Sequence, residues 1–586
     1  MYILGISCYY HDSAAALIKD GKVVAAAEEE RFTREKHDTS FPINAINYCL
    51  ESQGITAKDL SYIAFYEKPI LKFERVLSQH LENFPKSLKT FLSSTPAWMS
   101  QKLRVYKNIH KELEYDGDIM FVQHHMAHAA SCFLPSPFKE AAIVTVDGVG
   151  EWTTTTYGIG KGNSIKLLKE IKFPHSIGLL YSTITAYLGF KVNNSEYKVM
   201  GLSSYGNKDK NNNPYYKKLK KVIDLKEDGS FHLNMEYFTF DYKDRMPSKK
   251  LCSLLGAGVR KQSEPITQRH KDIAAALQII TEEALIKILN HVYKETGMEN
   301  LVLSGGVGLN SVANGKMLSK TPFKNLWIQP AAGDDGTSMG AALYTYNVIL
   351  DNKKRHELEN AFLGPGFSSS EVKNFLDKNN IQYSKFKNEE AIVKKTAKLI
   401  NDNKVVAWFQ GRMEWGPRAL GSRSILANPK NPKAQQLLNA KVKHRESFRP
   451  FAPVVCEDDA EKYFECDKPI PAPTDFMLMV YPIKKKWHKK LPSVTHVDGS
   501  GRLQTIRRKQ NPLYYDLIKE FGKLSDIPIL INTSFNIRGE PIVCKPKEAY
   551  RCMMGTGIDY LVMDKFLIKR KDNAKDMWDS EKLAKD

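Results

Sequence analysis

The sequence has few cysteines, none of them in a close pair, and no long apolar run. Its eight cysteines are scattered over 586 residues without a C-x-x-C motif, which argues against a structural zinc module or a disulfide framework and fits a reducing cytoplasm. No segment reaches the roughly 20 apolar residues that a membrane span needs. The start MYILGISCYYHDS lacks the basic segment of a signal peptide. We therefore expect a cytoplasmic protein without a membrane partner.

The positive charge of the chain lacks the pattern of a nucleic-acid footprint. A formal net charge of +20 is compatible with nucleic acid, with acidic small substrates or with a lysine-rich surface. The basic residues form short clusters, such as KKLKK at 217–221 and KKKWHKK at 484–490, in which aromatic residues do not alternate as a stacking platform for bases. We interpret these clusters as solvated surface and do not expect a nucleic-acid partner.

Chain length and composition predict two globular domains. A chain of 586 residues exceeds the size at which one hydrophobic core keeps growing. Its 42% hydrophobic and 26% charged residues are typical of globular proteins, and a polar stretch at 351–370 indicates a boundary. The predicted segments are a first domain over 1–355, a second over 366–570, an insertion rich in Lys, Asp and Asn over 207–265, and a basic tail over 571–586.

Two histidines spaced four residues apart suggest a metal site. His124 and His128 lie in FVQHHMAHAA, and on a helix this spacing puts both rings on one face while His125 points elsewhere. Asp147 and Asp334 each follow a short apolar run beside glycines, as carboxylates that strands deliver to loops. Such a set of N and O ligands suits iron, manganese or zinc. Alternatively, the histidines cap or pack a helix and the aspartates are turn residues.

Two glycine-rich loops follow apolar strands and precede helices. The first, SGGVGLN, contains Gly305, Gly306 and Gly308 and ends at Asn310, and the second is AAGDDGTSMG. In a strand, loop and helix of this kind, backbone N–H groups hold phosphate oxygens. The spacing matches neither a P-loop nor a dinucleotide fingerprint. We expect a nucleotide cleft between two α/β lobes.

Basic residues are concentrated in the second domain. Lys443, Arg445 and Arg449 lie at near-alternate positions in KVKHRESFRPFAPVV, where an extended segment would place them on one face. Arg418 in GPRALGSRSIL and Arg502 in a glycine-rich loop add further charge. Arginine forks bind phosphate and carboxylate oxygens through paired hydrogen bonds. The alternative is a strand with a solvated basic edge.

Other polar residues are candidates for substrate contact. Ser534 and Asn536 end the buried strand IPILINTSFN, where they can hydrogen-bond a phosphate or a small amide. Lys198 lies in SEYKVMGLSSYG, a polar segment that is equally typical of a substrate-facing loop and of a plain loop. His11 and Asp12 occupy the loop between the first two strands, which either faces a phosphate or is only a turn.

Together, these motifs resemble those of the O-carbamoyltransferases of the nodulation and antibiotic-tailoring type. The matching segments span nearly the whole chain in order: YYHDSAAAL, AAEEERFTREKH, HHMAHAASCF, VDGVGEW, KVMGLSSYG, SGGVGLN, GDDGTSMGAA, GPRALGSRSIL, KHRESFRPFAP and NTSFNIRGEPIV. The resemblance implies an N-terminal, two-lobed, actin-like ATPase fold similar to the tRNA threonylcarbamoyl-transfer protein. It also implies a C-terminal α/β domain with a twisted sheet, similar to the YrdC-like threonylcarbamoyl-adenylate synthase.

The resemblance also implies an activity and roles for the candidate residues. Carbamoyl phosphate and ATP, the latter with Mg²⁺, would form carbamoyl-adenylate, and the carbamoyl group would pass to a hydroxyl of a small-molecule acceptor, a secondary metabolite or sugar. The implied iron ligands are His124, His128, Asp147 and Asp334. The predicted catalytic residues are His11 or Asp12 as general base, with Lys443 and Arg449. The predicted nucleotide- and carbamoyl-phosphate-binding residues are Gly305, Gly306, Gly308, Asn310, Lys198, Arg418, Arg445, Arg502, Ser534 and Asn536.

Competing functions remain open at the level of sequence. A tRNA-modifying threonylcarbamoyl transferase is the nearest, although that system usually divides the two activities between separate proteins. A hydrogenase-maturation carbamoyltransferase would carry paired-cysteine zinc modules that this chain lacks. A nucleotide-binding regulator without transferase activity is a further alternative. The sequence does not name the acceptor, the metal or the oligomeric state.

Overall fold

The fold is given by a computed structural model that describes residues 1–243, 245–443, 446 and 448–573. The chain divides into two compact units, of which the first contains Met1–Glu29 and His37–Leu358 and the second contains Glu30–Lys36 and Glu359–Asp586. Each unit combines helices with mixed sheets, so the predicted α/β class is confirmed. Most of the predicted basic tail, from residue 574 onward, lies outside the described residues.

The strands of the described residues are mostly short, and β1, β6 and β11 coincide with the apolar runs YILGIS, AAIVTV and LVLS. In chain order the strands are β1 (Tyr2–Ser7), β2 (Ala14–Lys19), β3 (Lys22–Glu28), β4 (Tyr62–Phe65), β5 (Ile119–Phe121), β6 (Glu140–Val146), β7 (Thr153–Lys161), β8 (Ser164–Lys172), β9 (Ile223–Leu225), β10 (Phe231–Leu233), β11 (Asn300–Ser304), β12 (Asn325–Trp327), β13 (Ser384–Lys385), β14 (Val406–Phe409), β15 (Arg423–Ala427), β16 (Ala452–Cys456), β17 (Met479–Pro482), β18 (Ser500–Ile506), β19 (Ile529–Ser534), β20 (Tyr560–Met563) and β21 (Phe566–Lys569).

The helices include one of 29 residues, α11. In chain order the α-helices are α1 (Glu30–Thr33), α2 (Ile43–Glu51), α3 (Pro69–Glu82), α4 (Leu88–Ser100), α5 (Val105–Leu113), α6 (His124–Phe133), α7 (Ile177–Tyr187), α8 (Glu196–Ser203), α9 (Tyr216–Leu219), α10 (Lys249–Leu255), α11 (Gln268–Thr296), α12 (Ser311–Lys320), α13 (Asp335–Tyr344), α14 (Ser369–Lys378), α15 (Glu389–Asn401), α16 (Ala434–Leu437), α17 (Glu457–Tyr463), α18 (Pro512–Ser525) and α19 (Pro546–Met554). Among the described helices, none combines the length and the apolar character that crossing a membrane requires.

Two five-stranded sheets of the first unit repeat one topology. The first has the order β3-β2-β1-β4-β5 and the second the order β8-β7-β6-β11-β12. In each sheet, three consecutive strands form an antiparallel meander, and two later strands add in parallel to the first strand of that meander. This duplication is the arrangement of the actin-like fold that the sequence motifs predict, with one sheet for each lobe.

Helix α13 lies against its neighbours at backbone distance because glycines remove the intervening side chains. A Cβ on Gly340 would lie 1.9 Å from the carbonyl oxygen of Ala127 in α6, and a Cβ on Gly5 of β1 would lie 1.8 Å from that of Ser338 in α13. Only residues without a Cβ allow such close approach of two backbones. The contact fixes the start of α13 relative to α6, and both helix starts carry candidate site residues.

Two segments of the first unit that the sequence predicted to be a loop and an insertion contain regular secondary structure. The polar segment 195–206, expected to be a loop, contains helix α8. The segment 207–265, predicted to be an insertion, contains α9, the small hairpin β9–β10 and α10. It is tied to α11, because Asn213 Nδ2 donates to the Asp272 carbonyl at 2.9 Å and the Tyr216 hydroxyl donates to the Glu283 carboxylate.

The second unit is built on one nine-stranded sheet. Its order is β13-β21-β20-β14-β15-β19-β16-β18-β17, with parallel and antiparallel pairs mixed. Helices α15 and α18 contribute to the apolar core on the sheet, where Trp408 of β14 and Tyr514 and Phe521 of α18 are fully buried. Large aromatic side chains bury the most apolar area per residue, so they dominate the stability of such a core.

The segment Glu30–Lys36 belongs to the second unit although first-unit sequence flanks it on both sides. Arg34 donates to the carbonyls of Pro541 and Ile542, both at 2.7 Å, and Arg31 Nη2 donates to the Gly416 carbonyl at 3.0 Å. Phe32 packs on a small apolar cluster that includes Ile542. Buried arginines that donate to carbonyls satisfy otherwise unpaired acceptors, so this segment is an integral part of the second unit.

We expect Gly340→Ala to lower the thermal unfolding temperature. The new methyl group would overlap the Ala127 carbonyl, which cannot move without shifting α6, and overpacking of this kind costs about 1–3 kcal/mol. Gly258→Ala is the matched control, because Gly258 is exposed and a Cβ there meets no atom within 4 Å. Equal unfolding temperatures for the two variants, measured by calorimetry, would contradict the close packing of α13 on α6.

Candidate functional site

Helix α6 begins at His124 because a carboxylate holds its first amide. The Glu151 oxygens accept from the His124 N–H at 3.0 and 3.1 Å, and Glu151 Oε1 also accepts from the Lys68 N–H at 2.8 Å. A carboxylate at a helix start satisfies free N–H groups and interacts favourably with the helix dipole. Sequence reasoning missed Glu151, although its position four residues after Asp147 in VDGVGEW was an available signal.

The two histidines and two aspartates predicted to bind a metal converge in one buried cluster. His124 Nε2 lies 3.4 Å from Asp147 Oδ2 and 3.7 Å from Asp334 Oδ1. His128 Nε2 lies 3.5 Å from the same Asp334 oxygen. One ligand atom from each of the four residues lies within 4.8 Å of the others. As the spacing predicts, both rings share one side of α6, whereas His125 turns to a threonine hydroxyl at 2.6 Å.

The atoms of this cluster fit a shared cation. His128 Nε2 and Asp334 Oδ1 are buried and form no hydrogen bond, although buried polar atoms are normally satisfied. Ligand atoms about 2.1 Å from one ion lie roughly 3.0–3.4 Å apart in tetrahedral or octahedral sites, close to the observed separations. The polar atoms of His128 and Asp147 that would not face the cation have protein partners. Ser304 Oγ contacts His128 Nδ1 at 3.1 Å, and the Gly306 N–H donates to Asp147 Oδ1 at 2.8 Å.

Opposite charges dominate the electrostatics of the cluster. Burial would raise the pKa of Asp147, but the hydrogen bond to His124 and the charges of the histidines outweigh burial and hold that pKa well below its usual range. Burial would lower the pKa of His124, but Asp334 and Asp147 raise it to about 9. By contrast, burial followed by repulsion from His124 and His128 lowers the pKa of His125 to about 3. His125 is therefore a neutral structural residue.

The loop between β1 and β2 brings a further acid and two imidazoles to the cluster. Tyr9 and Asp12 have φ values of 70° and 54°, and such strained backbone in non-glycine residues clusters at functional sites. Asp12 is held between His11 Nδ1 at 3.0 Å and His37 Nδ1 at 2.6 Å. His11 Nε2 lies 3.8 Å from Asp334 Oδ2. The two candidate general bases therefore lie beside the cluster of two histidines and two aspartates, and His37 is a neighbour that the sequence did not reveal.

The carboxylate Asp12 is the weaker of the two candidates for a general base. Burial would raise its pKa, but hydrogen bonds from His11 and His37 keep that pKa far below the usual range. For His11, burial would lower the pKa, but Asp334 and Asp12 raise it to about 10. Asp12 therefore orients the two imidazoles, and His11 is the group that carries a proton at this position.

The first glycine loop supports the cluster directly. Gly305 has a φ of 94°, and a Cβ there would lie 2.3 Å from the Val146 carbonyl oxygen. The Gly306 amide donates to Asp147, and the Gly308 amide donates to the Gly305 carbonyl at 2.8 Å. These two amides therefore hold protein acceptors, in contrast to the predicted use of the loop as a phosphate cradle.

Two other predicted nucleotide-binding residues are engaged in helix structure. Asn310 Oδ1 accepts from the Ala313 N–H at 3.1 Å and so caps α12, and its amide donates to Gln278 Oε1 at 3.1 Å. Lys198 lies on α8, is buried, and places its ammonium 5.9 Å from the Phe190 ring centroid. Neither residue lies in the contacts that define the metal cluster.

In the second unit, the lysine and the serine–asparagine pair predicted to act together are in contact. Lys443 Nζ donates to Ser534 Oγ at 3.1 Å, to the Asn536 carbonyl at 3.0 Å and to Asn536 Oδ1 at 2.7 Å. Lys443 is 3% exposed. The Ser534 hydroxyl also donates to Asn536 Oδ1 at 2.6 Å. A buried ammonium therefore ties the end of β19 to the segment that precedes β16.

The backbone that carries Lys443 is not the extended segment that the alternating pattern suggested. Residues Leu438–Lys443 form a π-helical turn, and β16 begins only at Ala452. The predicted row of charges on one strand face is therefore wrong, and Arg445 lies outside the described residues. Tertiary contacts with β19 stabilise the π turn.

Four arginines of the second unit are candidates for anion contact. Arg449 Nη1 lies 3.5 Å from Glu446 Oε2, and Arg538 Nη2 lies 3.8 Å from Glu446 Oε1. Arg538, two residues after Asn536, was not predicted. Arg418 and Arg502 of the predicted set are partly exposed, on the loop before β15 and on β18 respectively. The Arg449 and Arg538 guanidinium groups therefore both lie within ion-pair range of one carboxylate.

Two other arginines, both in GRMEWGPRALGSRSIL at 411–426, serve the fold. Arg423 is fully buried over the Phe409 ring and donates to the carbonyls of Gln410 and Pro365 at 2.8 and 3.0 Å. Arg412 donates to the Gly364 carbonyl at 3.2 Å. Their guanidinium groups therefore donate to backbone acceptors of the same unit.

Comparisons with known proteins agree with the family that the motifs indicate. The carbamoyltransferase N-terminus family matches residues 2–343, and the carbamoyltransferase C-terminus family matches residues 397–570. The chain is 47% identical to an uncharacterized protein of Synechocystis sp. over 97% of each chain. It is 36% identical to nodulation protein NolNO of Sinorhizobium fredii, over 97% of this chain and 80% of that protein. With nodulation protein NolO of Bradyrhizobium diazoefficiens it shares 35% identity over 78% and 80% of the two chains. The chain therefore belongs to the carbamoyltransferase family.

Proposed function

We propose that this transferase forms carbamoyl-adenylate from carbamoyl phosphate and ATP in its second unit and transfers the carbamoyl group to an alcohol in its first unit. The observation that carries the proposal is the buried convergence of His124, His128, Asp147 and Asp334, in a chain matched by both family halves. A metal cluster with a neighbouring imidazole is suited to activating a hydroxyl, and a basic second unit is suited to nucleotide chemistry.

The first step concerns the second unit. Water converts carbamoyl phosphate into carbamate and inorganic phosphate, and a carbamate oxygen displaces pyrophosphate from the α-phosphorus of ATP, which arrives with Mg²⁺. Both substrates are anions, so positive charge has to offset their repulsion. Arg418, Arg449 and Arg502 are the guanidinium groups that we assign to this role. Lys443 holds Ser534 and Asn536 in place, so its ammonium orients the end of β19 for the nucleotide.

The second step concerns the first unit. The acceptor oxygen attacks the carbamoyl carbon, AMP leaves, and the hydroxyl proton must be removed. A cation held by Asp334 would offset the negative charge that raises the pKa of His11. The neutral imidazole of His11, oriented by Asp12, would then accept that proton. His124, His128, Asp147 and Asp334 would hold a divalent cation, with iron favoured and manganese or zinc possible, which when bound polarises the carbamoyl oxygen or lowers the pKa of the acceptor hydroxyl. The acceptor is a small molecule in this proposal.

We expect His128→Ala to lose both bound metal and carbamoyl transfer. Removing one buried ligand leaves three, so elemental analysis should show far less iron, manganese or zinc, and transfer should fall at least about 100-fold. Release of pyrophosphate that depends on carbamoyl phosphate should persist, because it occurs in the second unit. His125→Gln is the matched control on the same helix, since His125 faces a threonine hydroxyl. Full transfer by His128→Ala would disprove the metal assignment.

We expect Lys443→Ala to abolish pyrophosphate release and transfer together. The substitution leaves the Ser534 and Asn536 oxygens without their buried donor, which costs about 1–3 kcal/mol and displaces the end of β19. Calorimetry distinguishes this local effect from global unfolding. Lys441→Ala is the control, because the Lys441 side chain is exposed. If ATP turnover in the wild-type protein did not depend on carbamoyl phosphate, the chain would instead act as a nucleotide-binding regulator.

A further inference from the structure

Helix α3 of the first unit carries a buried guanidinium without a counter-ion. Arg75 is 7% exposed, its Nε has no partner, and among the described residues it forms no ion pair. Its contacts are a hydrogen bond from Nη1 to Gln79 Oε1 at 3.3 Å and the Phe173 ring at 5.0 Å. A buried charge with so little compensation is strongly unfavourable, so a protein that keeps one normally uses it to bind an ion.

The neighbouring acid does not neutralise this guanidinium. Glu67 is buried and is hydrogen-bonded to Lys72, one helical turn before Arg75, so that pair is already balanced. Lys102 is partly buried, lies 5.0 Å from the Trp98 ring centroid and forms no ion pair within the described part of the chain. Burial and then the charges of Lys72 and Arg75 lower the pKa of Lys102 to about 8. Glu151, the other acid whose charge acts on Arg75, accepts hydrogen bonds from the Lys68 and His124 N–H groups and forms no ion pair with Arg75. Three cations therefore face two acids at this position, and neither acid is paired with Arg75.

This positive cluster adjoins the site proposed for carbamoyl transfer. Lys72 Nζ lies 4.9 Å from the Tyr10 ring centroid, and the Tyr10 and His11 rings are 4.4 Å apart. His11 in turn lies beside Asp334 of the metal cluster. Tyr10 and His11 are partly exposed. A molecule that reaches His11 from this side therefore passes Tyr10 and comes within range of the unpaired cations.

We propose that Arg75, supported by Lys102, binds an anionic group of the acceptor, so that the substrate is a hydroxyl compound with a carboxylate, phosphate or sulfate. The proposal rests on the function proposed above and narrows its acceptor class. The guanidinium fork binds two oxygens of such a group and fixes the distance from the anion to the reacting hydroxyl. The buried charge of Arg75 gains its missing partner only when the acceptor is bound.

A turnover-free experiment tests the anion site. Crystals of the wild-type protein soaked in selenate should show an anomalous selenium peak at the Arg75 guanidinium, and crystals of Arg75→Met should not. Arg104→Gln is the matched control. Arg104 lies two residues after Lys102 and is exposed, so its loss should leave the selenium peak unchanged. Sulfate should raise the Tm of the wild type but not of Arg75→Met. The absence of a selenium peak in the wild type would overturn the proposal.

Thermal stability separates ligand binding from a structural role of Arg75. If the guanidinium serves only the fold, Arg75→Met lowers the Tm of the ligand-free protein, and that outcome overturns the proposal. If the guanidinium instead serves to bind an anion, Arg75→Met removes an unpaired buried charge and leaves the Tm of the ligand-free protein unchanged or raises it. Arg75→Lys retains the charge without the fork, so it should bind selenate more weakly than the wild type and more strongly than Arg75→Met.

The acceptor assignment is tested by fractionation. A metabolite extract is separated by anion exchange, each fraction is incubated with enzyme, ATP and carbamoyl phosphate, and mass spectrometry detects compounds that gain one carbamoyl group. Products should arise only from the retained, anionic fraction, and Arg75→Met should lower kcat/KM for them about 10- to 100-fold, while Arg104→Gln should not. Products from the unretained, neutral fraction would refute the acceptor class.

Pyrophosphate release distinguishes this inference from the proposed function. Arg75→Met should keep carbamoyl-phosphate-dependent pyrophosphate release and its KM for ATP. If the substitution raises that KM tenfold, the anion is a nucleotide phosphate and the acceptor assignment is wrong. If the wild type shows selenate at Arg75 but no pyrophosphate release, the proposed function fails while the anion site stands.

Discussion

The interaction on which the first unit depends is the attraction between two buried carboxylates and two buried imidazoles. Burying a charged group is unfavourable unless an opposite charge or a cation compensates it. His124, His128, Asp147 and Asp334 provide that compensation only when they lie within a few ångströms of one another. Their surroundings hold them there: Glu151 fixes the start of α6, the Gly306 amide holds Asp147, and glycines allow α13 to approach α6 closely.

The duplicated topology of the first unit explains why distant segments meet at this cluster. Asp147 follows β6, and the loop that contains Gly306 follows β11, the parallel neighbour of β6. The loop with His11 follows β1, the corresponding strand of the other sheet. Because parallel strands end at the same edge, loops that are far apart in sequence are brought together at one place. Loops carry Asp147 and Asp334, and helix α6 carries His124 and His128, while the sheets and the other helices keep the distances between them fixed.

In the second unit, a single buried ammonium group, that of Lys443, is compensated by hydrogen-bond acceptors. Lys443 donates hydrogen bonds to Ser534 and Asn536, so one charged group links the segment before β16 to the end of β19. Arg412 and Arg423 satisfy backbone carbonyls in the same region. Part of the positive charge in this unit therefore satisfies backbone acceptors, which composition alone does not reveal.

The sequence by itself determined the α/β class, the apolar strands and the pairing of His124 with His128, because each depends on local periodicity. The spacing of Asp147 and Asp334 from glycines indicated loop carboxylates, but only the tertiary structure decided that they share a site with the histidines, since their meeting requires two sheets and two helices. Contacts also decided the π turn at Lys443, the structural use of Asn310, and the places of Glu151, His37 and Arg538. These depend on partners far away in the chain, and local pattern carries no information about which distant partner a side chain meets.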